Sequence, residues 1–116
     1  MLEPRVEPIF SAMNRQNIVI YGCEAHICVR HTTLDAIARG FNVHVVVDAT
    51  SSMTLPDRNV GIQALSDAGA HLTTFQGVVF ELLRTTEHPD FKRFLPLLKD
   101  APPATEPLDL IATPKL

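Results

Sequence analysis

The chain has 116 residues, of which 46% are hydrophobic and 20% are charged, and its formal net charge is −3. This length predicts one domain, and the composition is ordinary for a globular protein. The acidic balance argues against a nucleic-acid binder, because such proteins concentrate Lys and Arg on one face.

The amino-terminal residues and the cysteine content predict an intracellular protein. Residues 1–7 lack the apolar segment of a signal peptide, and no apolar run approaches the ~20 residues that a membrane helix needs. The two cysteines, Cys23 and Cys28, are too few for a disulfide scaffold, and a zinc site would need further ligands beside them. We therefore expect reduced thiols, a cytoplasmic or other intracellular location, no metal or cofactor, and no membrane partner.

The first half of the chain predicts a strand–helix–strand unit. Residues 17–21 form a β-branched and aromatic run, typical of a strand that is buried on both faces. A helix over residues 28–39 follows, and Gly40 is suited to end it. Residues 42–47 predict a second buried strand. The helix is predicted from an apolar stripe at helical spacing, formed by Leu34, Ile37, Ala38 and Phe41.

The second half continues the alternation. Thr54 resembles a helix N-cap, with a proline in the first turn and Asp57 three residues on. Gly69 should end that helix, whose narrow apolar face contains Gly61, Leu65 and Ala68. Further elements are predicted as a strand over residues 71–75 and two short helices over residues 78–84 and 89–99.

Strands that alternate with helices predict βαβ units and hence an α/β fold with a parallel, Rossmann-like sheet between layers of helices. We expect three strands in chain order, with helices on both faces. The first strand has no upstream partner, so one of its edges should be unpaired or should pair with another chain. Residues 101–116 hold four of the nine prolines and should be extended or disordered.

Cys28 follows the first strand and begins the first predicted helix. Ligands of parallel α/β sheets bind at the carboxyl ends of strands, and free N–H groups at a helix start favour a thiolate. The same N–H groups could stabilise the oxyanion formed when a thiolate attacks a carbonyl. From its position alone, Cys28 could equally be a nucleophile or a small buried cysteine that only fills the core.

Residues 22–29 read Gly-Cys-Glu-Ala-His-Ile-Cys-Val and resemble the Gly-x-Glu-Thr-His-x-Cys-Val pattern of the isochorismatase-like hydrolases. The resemblance covers about residues 5–100 and looks strongest to the isochorismatase domain-containing subgroup. Matching segments are Thr32-Thr33-Leu34-Asp35, Gly40, Val43-His44-Val45, 48–52, Asp57-Arg58, 68–70 and the His-Pro-x-Phe-Lys segment 88–92.

The resemblance implies a cysteine hydrolase with Cys28 as its nucleophile. In this family an upstream Asp is the general base and an upstream Lys assists it, and neither has a counterpart in the printed sequence. We therefore expect the carboxyl-terminal half of the fold in residues 1–100, with about three strands of a normally six-stranded sheet. Ala25 departs from the usual Thr and puts the local hydrogen bonding in doubt.

The resemblance also implies an oxyanion hole formed by the backbone N–H groups of Glu24 and Cys28. The matching peptide bond, here Cys23–Glu24, is often cis in the family. His26 and Asp48 are candidates for lining the pocket, although an Asx-type turn is an alternative role for Asp48. A Cys–His pair can activate a thiol, so His26 is also a candidate for the base, although neighbours on a tight turn usually point in different directions. Outside the site, Cys23 is expected as a strand-end packing residue, His44 and His71 as packed histidines, and His31 on the surface.

Two functions remain open from the sequence. One is a hydrolase acting on a small-molecule amide-type substrate, which we expect to be inactive or very weak in a chain without the Asp and Lys. The other is a non-catalytic fragment or interaction module that retains half the fold. We expect a homo-oligomer in either case and, although some family members are called ribonucleases, no nucleic-acid partner.

Overall fold

The computed structural model describes residues 4–99, so the predicted extended tail at residues 101–116 lies outside the described residues. Contacts group the chain into two compact units, one that ends at Phe75 and one that begins at Gln76. In chain order the elements are α1 (Glu7–Ala12), β1 (Asn17–Cys23), a π-helical turn (Ala25–Val29), α2 (Arg30–Ala38), β2 (Asn42–Ser51), α3 (Leu55–Asp67), β3 (His71–Thr73), α4 (Phe75–Leu83) and α5 (Phe91–Lys99).

The three strands form one parallel sheet in the order β1-β2-β3, as predicted. The α/β fold with helices on both sides of a parallel sheet is confirmed. Asn17 pairs with Asn42 and His44 pairs with His71, and the β1–β2 register shifts between Ile20 and Gly22. Among residues 4–99, β1 pairs with no strand other than β2, so its second edge is open, as predicted.

The burial of β2 matches the sequence, whereas that of β1 does not. In β2 the valines from Val45 to Val47 are all buried. In β1, exposed and half-buried residues alternate instead, and the side chains of Val19 and Tyr21 are 42% and 70% exposed. The prediction of a β1 buried on both faces was therefore wrong, because one face of this edge strand is left open within the first unit.

The helix ends follow the local signals. Thr54 Oγ1 accepts the N–H of Asp57 at 3.2 Å and donates to its carboxylate at 2.6 Å, which confirms the predicted cap of α3. Gly40 and Gly69, with φ of +86° and +96°, have the left-handed backbone expected just beyond a helix.

Other details differ from the sequence prediction. The buried residues of α2 are Thr33 and Ala36, whereas the residues of the predicted apolar stripe are half-buried or exposed. The face of α2 that packs inward is therefore the one with small side chains. On α3, Gly61 and Leu65 are buried as expected, together with Ile62.

Several boundaries also differ. Strands β1 and β2 continue two and four residues beyond their predicted ends, to Cys23 and Ser51. The third strand ends at Thr73 and α4 begins at Phe75, because the carboxylate of Asp48 accepts the N–H of Phe75 at 2.8 Å. Helix α5 begins two residues later than predicted. The short helix α1, which has no buried residue, was not predicted.

Candidate active-site turn

Cys28 lies in the turn that joins β1 to α2, at the carboxyl end of the strand. Gly22 has a φ of +123°, a backbone conformation that residues with a side chain rarely adopt. The peptide bond between Cys23 and Glu24 is cis, as predicted. The chain then makes one π-helical turn over Ala25–Val29 before α2 begins. The sequence correctly placed Cys28 at a strand-to-helix junction, but did not predict the π-helical geometry.

The carbonyl of Glu24 organises this turn. It accepts the N–H groups of Ile27 and Val29, each at 3.1 Å, so the two neighbours of Cys28 are bonded to one oxygen. Single π-helical turns of this kind occur frequently at functional sites. The position of Cys28 therefore depends on the position of Glu24.

The thiol of Cys28 is exposed. Exposure excludes the interpretation of Cys28 as a small core-filling residue, and a nucleophile must be accessible. Cys23 is also exposed at the end of β1, so the prediction of a packing residue at the strand end was wrong.

The side chains of Glu24 and His26 point to the loop between β2 and α3. The Glu24 carboxylate accepts the N–H of Met53 at 2.8 Å, and His26 Nδ1 lies 3.0 Å from Ser52 Oγ. Ser52 Oγ also accepts the N–H of Ala25 at 3.1 Å. Both side chains therefore shape the turn by binding residues that lie 26 to 29 positions further along the chain.

Helix α3 contacts the same turn through Gly61. A Cβ atom at Gly61 would lie 2.7 Å from the backbone N of His26 and 2.9 Å from the carbonyl carbon of Ala25. Such distances are not tolerated between a side chain and a backbone, so only glycine fits where α3 meets the turn. The sequence placed Gly61 on the buried face of α3 but gave no sign that it contacts the turn that carries Cys28.

The remaining predicted pocket and oxyanion residues are placed as follows. Asp48 is exposed on β2, and its described bond is to the N–H of Phe75, at the start of α4. His26 and Asp48 as pocket-lining residues, and the N–H groups of Glu24 and Cys28 as an oxyanion hole, stay predictions.

Arg58 and Ser52 are structural residues of the site whose roles the sequence did not reveal. The Arg58 guanidinium donates to the backbone carbonyls of Val47 and Thr50, which fixes the start of α3 against the end of β2. The available signal was a cation in the first turn of a helix that follows a strand. Ser52 gave no comparable signal, because loop serines are common and its partners are distant in sequence.

The other histidines lie outside this turn. His44 and His71 stack on each other across β2 and β3, with ring centroids 5.1 Å apart and planes inclined by 28°, and His71 is exposed. His31 is exposed on α2, as predicted. No group of three His, Cys, Asp or Glu residues suited to a metal ion occurs among residues 4–99. No helix in that range has the length and apolar character to cross a membrane.

Comparison with known proteins places this turn in a family. The sequence model of the isochorismatase domain family matches residues 1–77 of this chain. The Xenopus laevis isochorismatase domain-containing protein 2 is 37% identical over 117 residues, which cover 100% of this chain and 57% of the relative. In a second curated relative, the Danio rerio isochorismatase domain-containing protein 1, the match covers only 31% of the relative's length.

Solved structures agree with the sequence relatives. The MAR1 ribonuclease of Caenorhabditis elegans superposes with a TM-score of 0.82 at 39% identity, over 93% of this chain and 56% of the other. The Escherichia coli YcaC gene product, described as an octameric hydrolase of unknown specificity, superposes with a TM-score of 0.68 at 28% identity, over 81% and 52% of the two chains. The present chain thus spans about half the length of these structures, and it belongs to the isochorismatase domain family.

Proposed function

We propose that the chain carries the nucleophile of an isochorismatase-like cysteine hydrolase and that this nucleophile is Cys28. The observation that carries the proposal is the exposed thiol of Cys28 in the turn at the carboxyl end of β1. This is the edge of a parallel sheet at which ligands bind. Membership of the family supports a hydrolytic reaction, and the motif at residues 22–29 supports the choice of Cys28 within it.

The proposed reaction begins when the Cys28 thiolate attacks the carbonyl carbon of a small amide-type substrate. The C–N bond breaks, the amine leaves with a proton, and a thioester on Cys28 remains. Water then cleaves the thioester, which releases the carboxylic acid and regenerates the thiol. The N–H groups of Glu24 and Cys28 are proposed to bind the oxyanion of each tetrahedral intermediate.

We propose that turnover by this chain alone is very weak. The amine must receive a proton as it leaves, and the Asp and Lys that the family resemblance assigns to proton transfer have no counterpart in the sequence. Loss of general acid–base help lowers rates by ~10²–10⁴-fold. Acylation by an activated ester, whose leaving group needs no proton, should be less affected than amide hydrolysis.

The test separates acylation from turnover. The chain and the Cys28→Ala variant are incubated with a p-nitrophenyl ester, and the acyl adduct is located by peptide mass spectrometry. An adduct on Cys28 with slow release supports the proposal. Labelling of Cys23 but not of Cys28 would contradict it and favour a non-catalytic interaction module. Fast amide hydrolysis that requires Cys28 would contradict the proposed weakness of the isolated chain.

We also propose that the chain assembles with further copies through the open edge of β1. This strand contains no charged residue and no proline, the usual protections of an exposed edge. Beside it lies a groove of about 200 Å³, formed mainly by apolar side chains. The octameric state described for YcaC supports oligomerisation within the fold. The groove is lined by Phe10, Ile18, Val19, Ile20, Tyr21, Thr32 and Ala36.

An intracellular location is part of the proposal. Cys23 and Cys28 are both free thiols, and free exposed thiols persist in reducing compartments. Fluorescence microscopy of the tagged chain tests this, and export to the medium would contradict it.

A further inference from the structure

The hydroxyl of Ser52 joins two consecutive residues of the Cys28 turn. It accepts the backbone N–H of Ala25 at 3.1 Å and lies 3.0 Å from Nδ1 of His26. Ser52 is half-buried, so these bonds are partly shielded from water. A single side chain of the β2–α3 loop therefore holds both the backbone and a side chain of the turn.

The contact between Ser52 and His26 can form in either tautomer of the ring. A serine hydroxyl has one proton to donate and two lone pairs to accept with. The N–H of Ala25 occupies one lone pair, so the hydroxyl can still donate to Nδ1 of His26 or accept from it. Ser52 therefore holds the His26 ring in both tautomers.

Glu24 provides a second tie from the turn to the same loop. Its carboxylate accepts the N–H of Met53 at 2.8 Å and lies 3.8 Å from Nδ1 of His26. Ser52 and Met53 are adjacent, so three consecutive residues of the turn are held by two consecutive residues of the loop. The close contact of Gly61 with the backbone of Ala25 and His26 prevents the turn from moving towards α3.

These contacts also restrain Cys28, because Glu24 is bonded to the residues on either side of it. The carbonyl of Glu24 binds the N–H groups on either side of Cys28, so a shift of residues 24–26 shifts the thiol and its neighbours together. We propose that Ser52 is a positioning residue for Cys28, which acts by holding residues 25 and 26 of the turn in place. The proposal rests on the proposed function of Cys28 as a nucleophile.

The experiment compares two reactions of the same thiol in a Cys23→Ser background. Acylation by a p-nitrophenyl ester requires an oriented thiolate and a stabilised oxyanion, whereas alkylation by iodoacetamide forms no oxyanion. For Ser52→Ala we expect acylation of Cys28 to slow about tenfold, the equivalent of one lost positioning bond of about 1.4 kcal/mol, and alkylation to change less than about twofold. Ser51→Ala, at the exposed neighbouring position, is the matched control, and Ser52→Thr should restore most of the acylation rate.

Acylation of Ser52→Ala at the parental rate would overturn the positioning role. Equal changes in acylation and alkylation would also overturn it, since general loosening of the turn affects both.

The two proposals fail in different ways. If Cys28 in the parent is not acylated at all, both proposals fail, because the role of Ser52 rests on Cys28 as the nucleophile. If Cys28 is acylated but Ser52→Ala behaves as the parent, the proposed function stands and the role of Ser52 does not.

Discussion

Gly61 of α3 lies directly against the backbone of His26, so closely that a Cβ atom at Gly61 would come within 2.7 Å of the His26 nitrogen. The contact joins a helix to the turn that carries the proposed nucleophile. Both partners are backbone atoms of packed elements, so neither can move aside as a flexible side chain would. The absence of a side chain at Gly61 is thus a requirement of the turn and not of the helix.

Gly61→Ala should therefore destabilise the chain although alanine is the better helix former. The helical preference favours alanine by about 1 kcal/mol, whereas forcing an atom into a packed contact costs about 1–3 kcal/mol and displaces backbone. We expect a lower midpoint in urea denaturation together with slower acylation of Cys28. Ser66→Ala, at an exposed position of the same helix, is the control and should be neutral or slightly stabilising. An unchanged or raised midpoint for Gly61→Ala would contradict the prediction, since it would show that the turn moves to accommodate the added methyl group.

Both thiols of the native chain should react with Ellman's reagent without denaturant. Cys23 and Cys28 are both exposed, and thiol–disulfide exchange requires access to the sulfur. The chain should release two equivalents of thionitrobenzoate, and the Cys23→Ser and Cys28→Ser variants one each. A thiol that reacts only after addition of urea would contradict the exposure of that residue.

Thr33→Val should stabilise the chain. The Thr33 side chain is fully buried, and within the described part of the chain its hydroxyl oxygen has no hydrogen-bond partner. Valine has nearly the same shape and removes a buried polar group whose desolvation costs about 1–3 kcal/mol. We expect a Tm about 4 °C or more higher by circular dichroism.

Thr50→Val is the matched control for that substitution. Thr50 is 3% exposed, but its hydroxyl donates to the carbonyl of Val46 at 2.7 Å. Removing this donor should lower stability by about 1 kcal/mol. A Tm that falls equally in both variants would mean that the hydroxyl of Thr33 is satisfied in solution.

Val19→Lys should reduce self-association. Val19 lies in the middle of the open strand β1 with 42% of its side chain exposed, and a lysine on an edge strand opposes pairing with another chain. In sedimentation velocity, the parent should shift to larger species as concentration rises, and Val19→Lys should shift less. Val60→Lys introduces the same charge at a 67% exposed position of α3 and should behave as the parent. A parent that sediments as a monomer at all concentrations would remove the role of the β1 edge.

Much of the fold followed from local sequence patterns. The β-branched runs predicted β1 and β2, and the Thr54 cap and the glycines at 40 and 69 fixed the helix ends, because each signal acts between neighbours in the chain. Predictions failed where burial was decided by distant elements: β1 is open on one face, Cys23 at its end is exposed, and α2 packs through Thr33 and Ala36. Burial depends on which element packs against a residue, and the spacing of apolar residues along the chain does not specify that element.

The candidate site divides in the same way. The sequence by itself determined that Cys28 follows a strand and precedes a helix. It also supplied the motif that makes Cys28 the candidate nucleophile. Only the tertiary structure decided that Ser52, Met53 and Gly61 hold the turn, because these contacts join residues that are 26 to 36 positions apart. Hydrogen bonds and close packing over such separations form only once the strands have paired and α3 has docked, so no local pattern encodes them.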